Sequence, residues 1–263
     1  DSGHTWDQPK GVDKPNEETG TNSSLNIKVS TVDQHVLILW QRKDAGDNCS
    51  QFYQWSNDYG DSWSNPQKML EDANGCGIDD HLIPSEDGQI LLWTILQNQV
   101  NLLAWDQNRW SEAQIQHELS AFEDPDTLNL VELGCHNPQI VDEKLAVVGC
   151  DSGEGADIWF TRRELSDIPF WYASPSDWID PKELITSQNR IDSPVLVAGE
   201  DEIVHVLWSQ ATSVARDGDA TSILYMGWDG ERWSQPLTIF ESPNGNFSQP
   251  SAALDKDGRL LVV

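Results

Sequence analysis

Residues 25–40 read LNIKVSTVDQHVLILW, which is two runs of β-forming residues on either side of Val32-Asp33-Gln34. Two such runs around a short turn are typical of a β-hairpin. The arrangement returns four times, as DHLIPSEDGQILLW (80–93), PQIVDEKLAVVGC (138–150), PVLVAGEDEIVHVLW (194–208) and PSAALDKDGRLLVV (250–263). The sequence therefore predicts a chain built from repeated hairpins.

Most hairpins are followed by a third strand and by a turn that carries a tryptophan. The turn tryptophans lie 47, 68 and 55 residues apart, at Trp63, Trp110, Trp178 and Trp233. Four short strands in a unit of about 45–55 residues are typical of a β-propeller blade. We therefore expect an all-β fold, a β-propeller of four-stranded antiparallel blades. The predicted blades cover about 22–70, 76–117, 134–185 and 191–240, with a partial blade at 246–263.

The first tryptophan turn has a recognisable pattern. Residues 56–63 read SNDYGDSW, in which Ser56, Asp58, Gly60 and Trp63 match S-x-D-x-G-x-x-W. The pattern resembles the Asp-box of sialidase-like (BNR-repeat) propellers. Asp58 can accept backbone N–H groups within the turn, and Gly60 allows a conformation that side chains resist. The resemblance implies that these four residues are structural, that they lie opposite the active site, and that the complete propeller has six blades.

Residues 1–6, DSGHTW, match the last six positions of the same box. The chain thus begins inside a box and ends at Val263, after the second strand of a blade. Either segments are missing at both ends, or the two partial blades combine. Because residues 1–6 supply a box without the strand before it, we expect 1–263 to be one propeller domain truncated at both ends.

The charge of the chain limits its partners. Its 263 residues include 16 Lys and Arg against 44 Asp and Glu, for a formal net charge of −28. This charge repels phosphate, so neither nucleic acid nor an anionic membrane surface is an expected partner. No run approaches 18 apolar residues, so membrane insertion is not expected either.

In such propellers the loops between second and third strands, together with the blade-to-blade loops, form one end, which we call the functional face. These loops are 41–51, 94–98, 150–157, 209–221, 70–79, 116–136, 184–193 and 240–249. They are rich in carboxylates, which could bind a cationic partner or a structural Ca²⁺. Because the acidity is spread over the whole chain, a solvated acidic surface is favoured and no cofactor is expected.

The four cysteines are predicted to form two disulfides. If Asp142-Glu143 is the turn of the third unit, Cys135 lies opposite Cys150 at a separation that suits a bridge. Cys49 and Cys76 fall in loops of the functional face and form the second predicted pair. Disulfides imply an extracellular or cell-surface location. No Cys-x-x-Cys or histidine-spaced cluster points to a metal site.

Three tryptophans recur at one position of the second strand, next to the functional face: Trp40, Trp93 and Trp208. A ring of indoles there could stack on the faces of sugars. Packing between blades is the alternative, and it is the more common role of such residues. The third unit has Gly149 at this position, which would leave an opening in the ring.

The resemblance also implies an active site. Sialidases of this kind use a tyrosine paired with a glutamate, an aspartate acid/base, and three arginines that bind the substrate carboxylate in bidentate fashion. No Tyr–Glu pair can be placed centrally here. The arginines able to reach the functional face are Arg42, Arg190 and Arg216. These residues are weak catalytic candidates.

The positions that correspond to the first arginine of the clamp hold His136, Asp192 and Ser248. A histidine beside a carboxylate could bind a ligand or exchange protons with it. Propeller channels are also lined with polar side chains that do neither. Three hypotheses remain: a secreted or cell-surface module that binds a glycan or an extracellular protein, a retaining exo-sialidase or glycoside hydrolase whose first arginine and acid lie outside this chain, and a structural cell-surface assembly unit.

Overall fold

The computed structural model describes residues 24–43, 49–72, 80–85, 88–96, 99–107, 109–111, 114–116, 135–150, 156–165, 182–187, 189, 191–199, 201–211, 221–242 and 250–263. Every helix or strand assigned in these residues is a β-strand. The first sheet contains β1 (Ser24–Val32), β2 (His35–Lys43), β3 (Cys49–Ser56) and β4 (Gln67–Asp72). The second contains β5 (His81–Pro84), β6 (Ile90–Leu96), β7 (Gln99–Trp105) and β8 (Gln114–Gln116).

The later sheets repeat this order. The third contains β9 (Cys135–Val141), β10 (Lys144–Cys150), β11 (Ala156–Glu164) and β12 (Lys182–Ser187). The fourth contains β13 (Ile191–Ala198), β14 (Val204–Ala211), β15 (Thr221–Trp228) and β16 (Leu237–Ser242). A final two-stranded sheet contains β17 (Ala252–Leu254) and β18 (Leu260–Val262).

Each four-stranded sheet pairs its strands antiparallel in chain order. The first strands of successive sheets lie against each other: β1 with β5, β5 with β9, β9 with β13 and β13 with β17. They are the inner strands, and the sheets are blades around them. The predicted all-β propeller of four-stranded antiparallel blades is therefore confirmed. The predictions of six blades and of truncation at both ends remain predictions.

Tight turns set the register of the hairpins. Asp142 and Glu143 have φ values of 48° and 59°. Two successive residues with positive φ make the turn type that matches the twist of paired strands. The turn pairs Val141 with Lys144, and the register continues to Cys135 opposite Cys150, as predicted.

Packing between blades forms three cores. Between the first and second blades, Leu37 and Leu39 contact Ile90 and Leu92 in a cluster that also contains Trp105. Similar clusters join the second blade to the third and the third to the fourth. Because successive residues of a strand point to opposite faces, β6 and β10 contribute side chains to the interfaces on both sides of their blades. This explains why the second strands read as continuous apolar runs.

Candidate functional site

The functional face is where the inner strands begin and the second strands end. Cα pairing aligns Leu25 with Gln41, His81 with Trp93, His136 with Gly149, and Asp192 with Ser209 at this end. The described polar groups therefore converge from four blades onto one end of the molecule.

A buried carboxylate joins the first two blades at this end. The Asp80 side chain is 0% exposed, and its Oδ2 accepts hydrogen bonds from Gln41 Nε2 at 2.9 Å and Gln51 Nε2 at 2.6 Å. Asn26 Nδ2 donates in turn to Gln41 Oε1 at 3.0 Å. These four residues, the Asp80 network, form a hydrogen-bonded chain from exposed Asn26 to the buried carboxylate.

Burial raises the pKa of Asp80, because the charged form loses its hydration. Hydrogen bonds from Thr94, Gln41 and Gln51, and the charge of Lys28, act in the opposite direction. The carboxyl group is thus held by amides on the second and third strands of the first blade. This arrangement orients the amides and leaves no exposed Asp80 oxygen for proton exchange with a substrate.

A histidine pair lies between the second and third blades. The rings of His81 and His136 are 6.5 Å apart, and the Trp93 indole lies 5.9 Å from the His136 ring. Burial, together with the charge of Lys28 and the neighbouring His136, lowers the pKa of His81 to about 3, against a hydrogen bond with the His136 backbone that acts to raise it. His81 is therefore neutral at physiological pH. His136 is 3% exposed, so its ring is buried between blades and does not face the channel.

The predicted indole ring is buried. Trp40, Trp93 and Trp208 are 2%, 0% and 0% exposed, which favours packing between blades over contact with a ligand. The opening expected at Gly149 is absent, and that expectation was wrong. A Cβ at Gly149 would lie 2.2 Å from Trp159 Cζ2, so an indole from the third strand fills the position.

The arginine candidates are only partly described. The Arg42 guanidinium lies 4.8 Å from the centre of the Phe52 ring, in a cation–π contact. Arg190 and Arg216 lie outside the described residues, as does the side chain of Asp192, although its backbone pairs with Ser209. Within the described residues no arginine clamp is assembled.

The cysteines agree with the predicted pairing as far as they are described. Cys135 and Cys150 form a disulfide with a Cα–Cα distance of 5.4 Å. Cys49 is also disulfide-bonded, and its predicted partner Cys76 lies outside the described residues. No group of three or more histidine, cysteine, aspartate or glutamate side chains in the described ranges could hold a metal ion.

The first tryptophan turn is closed by its own side chains. Ser56 Oγ donates to Asp58 Oδ1 at 2.7 Å and accepts the Gly60 N–H at 2.8 Å. Asp58 Oδ1 also accepts the Ser62 N–H at 2.8 Å. Bonds from Ser62 and Ser56 lower the pKa of Asp58 to about 2. Gly60 has a φ of 94°, which explains the glycine.

Sequence reasoning missed the Asp80 network. Asp80 begins a recognised hairpin, and Gln41 and Gln51 bound a predicted loop of the functional face, but their separation in sequence hides the contact. The available signal was a carboxylate immediately before an inner strand.

These features define the class of protein, a β-propeller with a polar face at the start of its inner strands. An α-L-arabinanase from Penicillium chrysogenum, complexed with arabinobiose, has a similar structure, with a TM-score of 0.58, 13% identity, and coverage of 91% of this chain and 74% of the other. A glycosyl hydrolase from Bacteroides ovatus has a TM-score of 0.51, 11% identity, and coverage of 89% and 78%. At these identities the similarity shows the fold alone.

Neither a family profile nor a curated protein matches this chain by sequence. Among the residues that the structure describes, no helix is long and apolar enough to cross a membrane.

Proposed function

We propose that this protein is a secreted or cell-surface propeller that binds neutral carbohydrate at its functional face. The Asp80 network carries the proposal. Its amides are held in place by a buried carboxylate, and the exposed end is the Asn26 amide. Fixed amide donors and acceptors suit sugar hydroxyl groups, which both donate and accept hydrogen bonds.

A second amide lies at the same end of the fourth blade. Gln210 Nε2 donates to Ser187 Oγ of the third blade at 3.0 Å, and Trp208 Nε1 lies 3.3 Å from Gln210 Oε1. Beside the charged Arg42 and Glu241, the side chains described on this face include amides, hydroxyls and imidazoles. This composition favours a neutral sugar over the carboxylate-bearing substrate that an arginine clamp would bind.

The fold supports a carbohydrate ligand. Two similar structures with TM-scores above 0.5 are an α-L-arabinanase complexed with arabinobiose and a glycosyl hydrolase. The Cys135–Cys150 disulfide supports an oxidising, extracellular setting. Most glycoside hydrolases use two carboxyl groups that flank the scissile bond. Asp80 does not suit that role, because it is buried and hydrogen-bonded, so we favour binding.

The test is binding of the full chain to arabinan, xylan, galactan and a sialylated glycan by calorimetry. Asn26→Gly removes the exposed amide while keeping a residue that tolerates the φ of 49°. We expect binding to a neutral polysaccharide, weakened roughly fivefold by this substitution, the equivalent of about 1 kcal/mol.

The matched control is Asn57→Ala, because the Asn57 side chain bonds to His35 at the opposite end of the first blade. It should bind like the unmodified chain. Binding confined to the sialylated glycan, or no binding to any of the four, would overturn the proposal. Release of reducing sugar during the titration would establish the hydrolase alternative instead.

A further inference from the structure

The buried carboxyl group of Asp80 sets the orientation of the amides around it. Its Oδ2 receives hydrogen bonds from Gln41 Nε2 at 2.9 Å and from Gln51 Nε2 at 2.6 Å. A carboxyl oxygen that receives two N–H groups acts only as an acceptor, whether or not the other oxygen of the group carries a proton. Each glutamine therefore turns its NH₂ group toward Asp80 and its carbonyl oxygen away from it.

This orientation is passed on to Asn26. Gln41 Oε1, the oxygen turned away from Asp80, accepts a hydrogen bond from Asn26 Nδ2 at 3.0 Å. An amide carries its donors on nitrogen and its acceptor on oxygen. Once Nδ2 is bonded to Gln41, the carbonyl Oδ1 of this exposed residue has no partner among the residues that the structure describes. The exposed end of the Asp80 network therefore presents a hydrogen-bond acceptor.

A hydrogen-bond donor follows Asn26 on the same inner strand. Lys28 pairs with Leu39 across β1 and β2, and Leu39 packs against the second blade. Because paired residues of neighbouring strands lie on the same face of a sheet, the Lys28 side chain also faces the second blade. Burial dominates the pKa shifts of Asp80 and His81 there, and the charge of Lys28 also acts on both groups. Lys28 thus lies between the first two blades, beside the Asp80 network.

The Lys28 ammonium keeps its donors available. Its side chain is half-buried, and a lysine in such a position covers apolar surface with its stem while the ammonium stays in water. No carboxylate in the described part of the chain forms an ion pair with it. An ammonium has three N–H donors and no acceptor. One inner strand therefore presents an acceptor at Asn26 and donors at Lys28, two residues apart.

We propose that Asn26 Oδ1 and Lys28 Nζ recognise a vicinal diol, which is a pair of hydroxyl groups on neighbouring carbons of a sugar. One hydroxyl donates to the Asn26 carbonyl, and the neighbouring hydroxyl accepts from the Lys28 ammonium. Asp80 is the positioning residue, because it orients the Asn26 amide through Gln41. This inference rests on the proposed carbohydrate-binding function and specifies the part of the sugar that is recognised.

The same two groups select against an acidic sugar. A carboxylate only accepts hydrogen bonds, so it would bind the Lys28 ammonium and be repelled by the Asn26 carbonyl. A sugar hydroxyl both donates and accepts, and a diol satisfies both groups at once. The site is therefore specific for a neutral ligand although it contains a cation.

Chemical treatment of the ligand tests this specificity. Arabinan, xylan and β-1,4-galactan carry vicinal diols, and periodate followed by borohydride cleaves the carbon–carbon bond of each diol and leaves separate alcohols. In calorimetry the full chain should bind an untreated polysaccharide and lose about tenfold in affinity for its treated form. Undiminished binding of the treated form would overturn the diol inference alone. Failure to bind any untreated polysaccharide would overturn the proposed function, and this inference with it.

Variants of Lys28 test the donor. Lys28→Met keeps an unbranched side chain without the ammonium and should weaken binding of the untreated polysaccharide about tenfold. Lys28→Arg keeps N–H donors and should retain more of the affinity. Lys256→Met is the matched control, because Lys256 lies in the turn between β17 and β18 and is 87% exposed. Equal weakening in the control and in Lys28→Met would attribute the effect to net charge and overturn the contact.

Acetylation of the unmodified protein gives a readout that does not depend on how a variant folds. Bound polysaccharide should slow the acetylation of Lys28 several-fold, as measured by mass spectrometry of the digest. Lys256 serves as the internal reference and should react at the same rate with and without the polysaccharide. Equal acetylation of Lys28 in the free and the bound protein would overturn the proposed contact.

Discussion

At the scale of single residues, Gly149 and Trp159 show how the space between two blades is filled where a second strand lacks a large side chain. The apolar runs of β2 and β14 end in Trp40 and Trp208, whereas the corresponding run of β10 ends in Gly149. Trp159 pairs with Gly149 across β10 and β11 and fills the space that the missing indole would occupy. The interface between the second and third blades is thus completed by an aromatic residue from a different strand.

Gly149→Ala should destabilise the fold, because its Cβ would lie 2.2 Å from Trp159 Cζ2 and Trp159 is 2% exposed. Overpacking of this kind costs about 1–3 kcal/mol. Urea unfolding should show a lower midpoint for this variant. The double variant with Trp159→Leu should recover part of the stability lost to the clash. An unchanged midpoint for Gly149→Ala would mean that the indole does not cover the glycine.

The buried His81 should make the protein sensitive to acid. Its folded pKa of about 3 lies below the ordinary value of 6.5, so the unfolded chain binds more protons between these values. This residue therefore lowers the free energy of unfolding as the pH falls from about 6.5 toward about 3. Asp80 acts in the opposite direction, since its pKa is raised and the folded state takes up its proton first.

His81→Gln should consequently lose less stability than the unmodified chain when the pH falls from about 7 to about 5. Urea titrations at the two pH values measure the difference. His35→Gln is the control, because His35 lies at the other end of the first blade and bonds to Asn57. Parallel losses in both variants and in the unmodified protein would show that His81 is not responsible.

At the scale of the blade, the four-stranded sheets share one strand order but are stabilised by different side-chain contacts. The second and fourth blades use turns in which Asp106 and Asp229 accept the backbone N–H of Arg109 and Arg232 at 3.0 and 2.8 Å. The first blade closes the same connection through Ser56 and Asp58. The third joins its first two strands by the Cys135–Cys150 disulfide at the open end of the hairpin.

Removing this disulfide with Cys135→Ser and Cys150→Ser should lower the free energy of unfolding. The two cysteines are separated by 15 residues in sequence, and closing a loop of that length stabilises a fold by about 3 kcal/mol in the chain-entropy description. Guanidinium unfolding of the double variant and of the unmodified protein, both without reductant, measures the difference in their free energies of unfolding. Coincident unfolding curves would contradict the expected contribution.

At the scale of the whole molecule, the formal charge of −28 opposes compaction. The described cations are mostly engaged locally, as in the contacts of Lys144 and Arg162 with Glu202 at 2.5 and 3.0 Å. These contacts join the third and fourth blades near their hairpin turns. The carboxylates of the chain still greatly outnumber its cations. Like charges spread over the surface repel one another in the folded state more than in the extended chain.

Added sodium chloride should therefore raise the melting temperature, because salt shortens the distance over which the carboxylates repel. Differential scanning calorimetry from low to high salt measures the effect. Sodium sulfate at matched ionic strength separates screening from the general stabilisation of buried surface by sulfate. A melting temperature that stays constant in sodium chloride would show that the charges do not limit stability.

The sequence by itself determined the fold class, the register of the third hairpin and the Cys135–Cys150 pair. These features follow from local rules: strand periodicity, turn chemistry, and a side-chain alternation of two residues. Only the tertiary structure decided which side chains meet across blades. It placed Gln41 and Gln51 on Asp80, buried His136, and filled the gap at Gly149 with Trp159. Contacts between blades depend on how neighbouring sheets pack, and no periodicity within one strand records that arrangement.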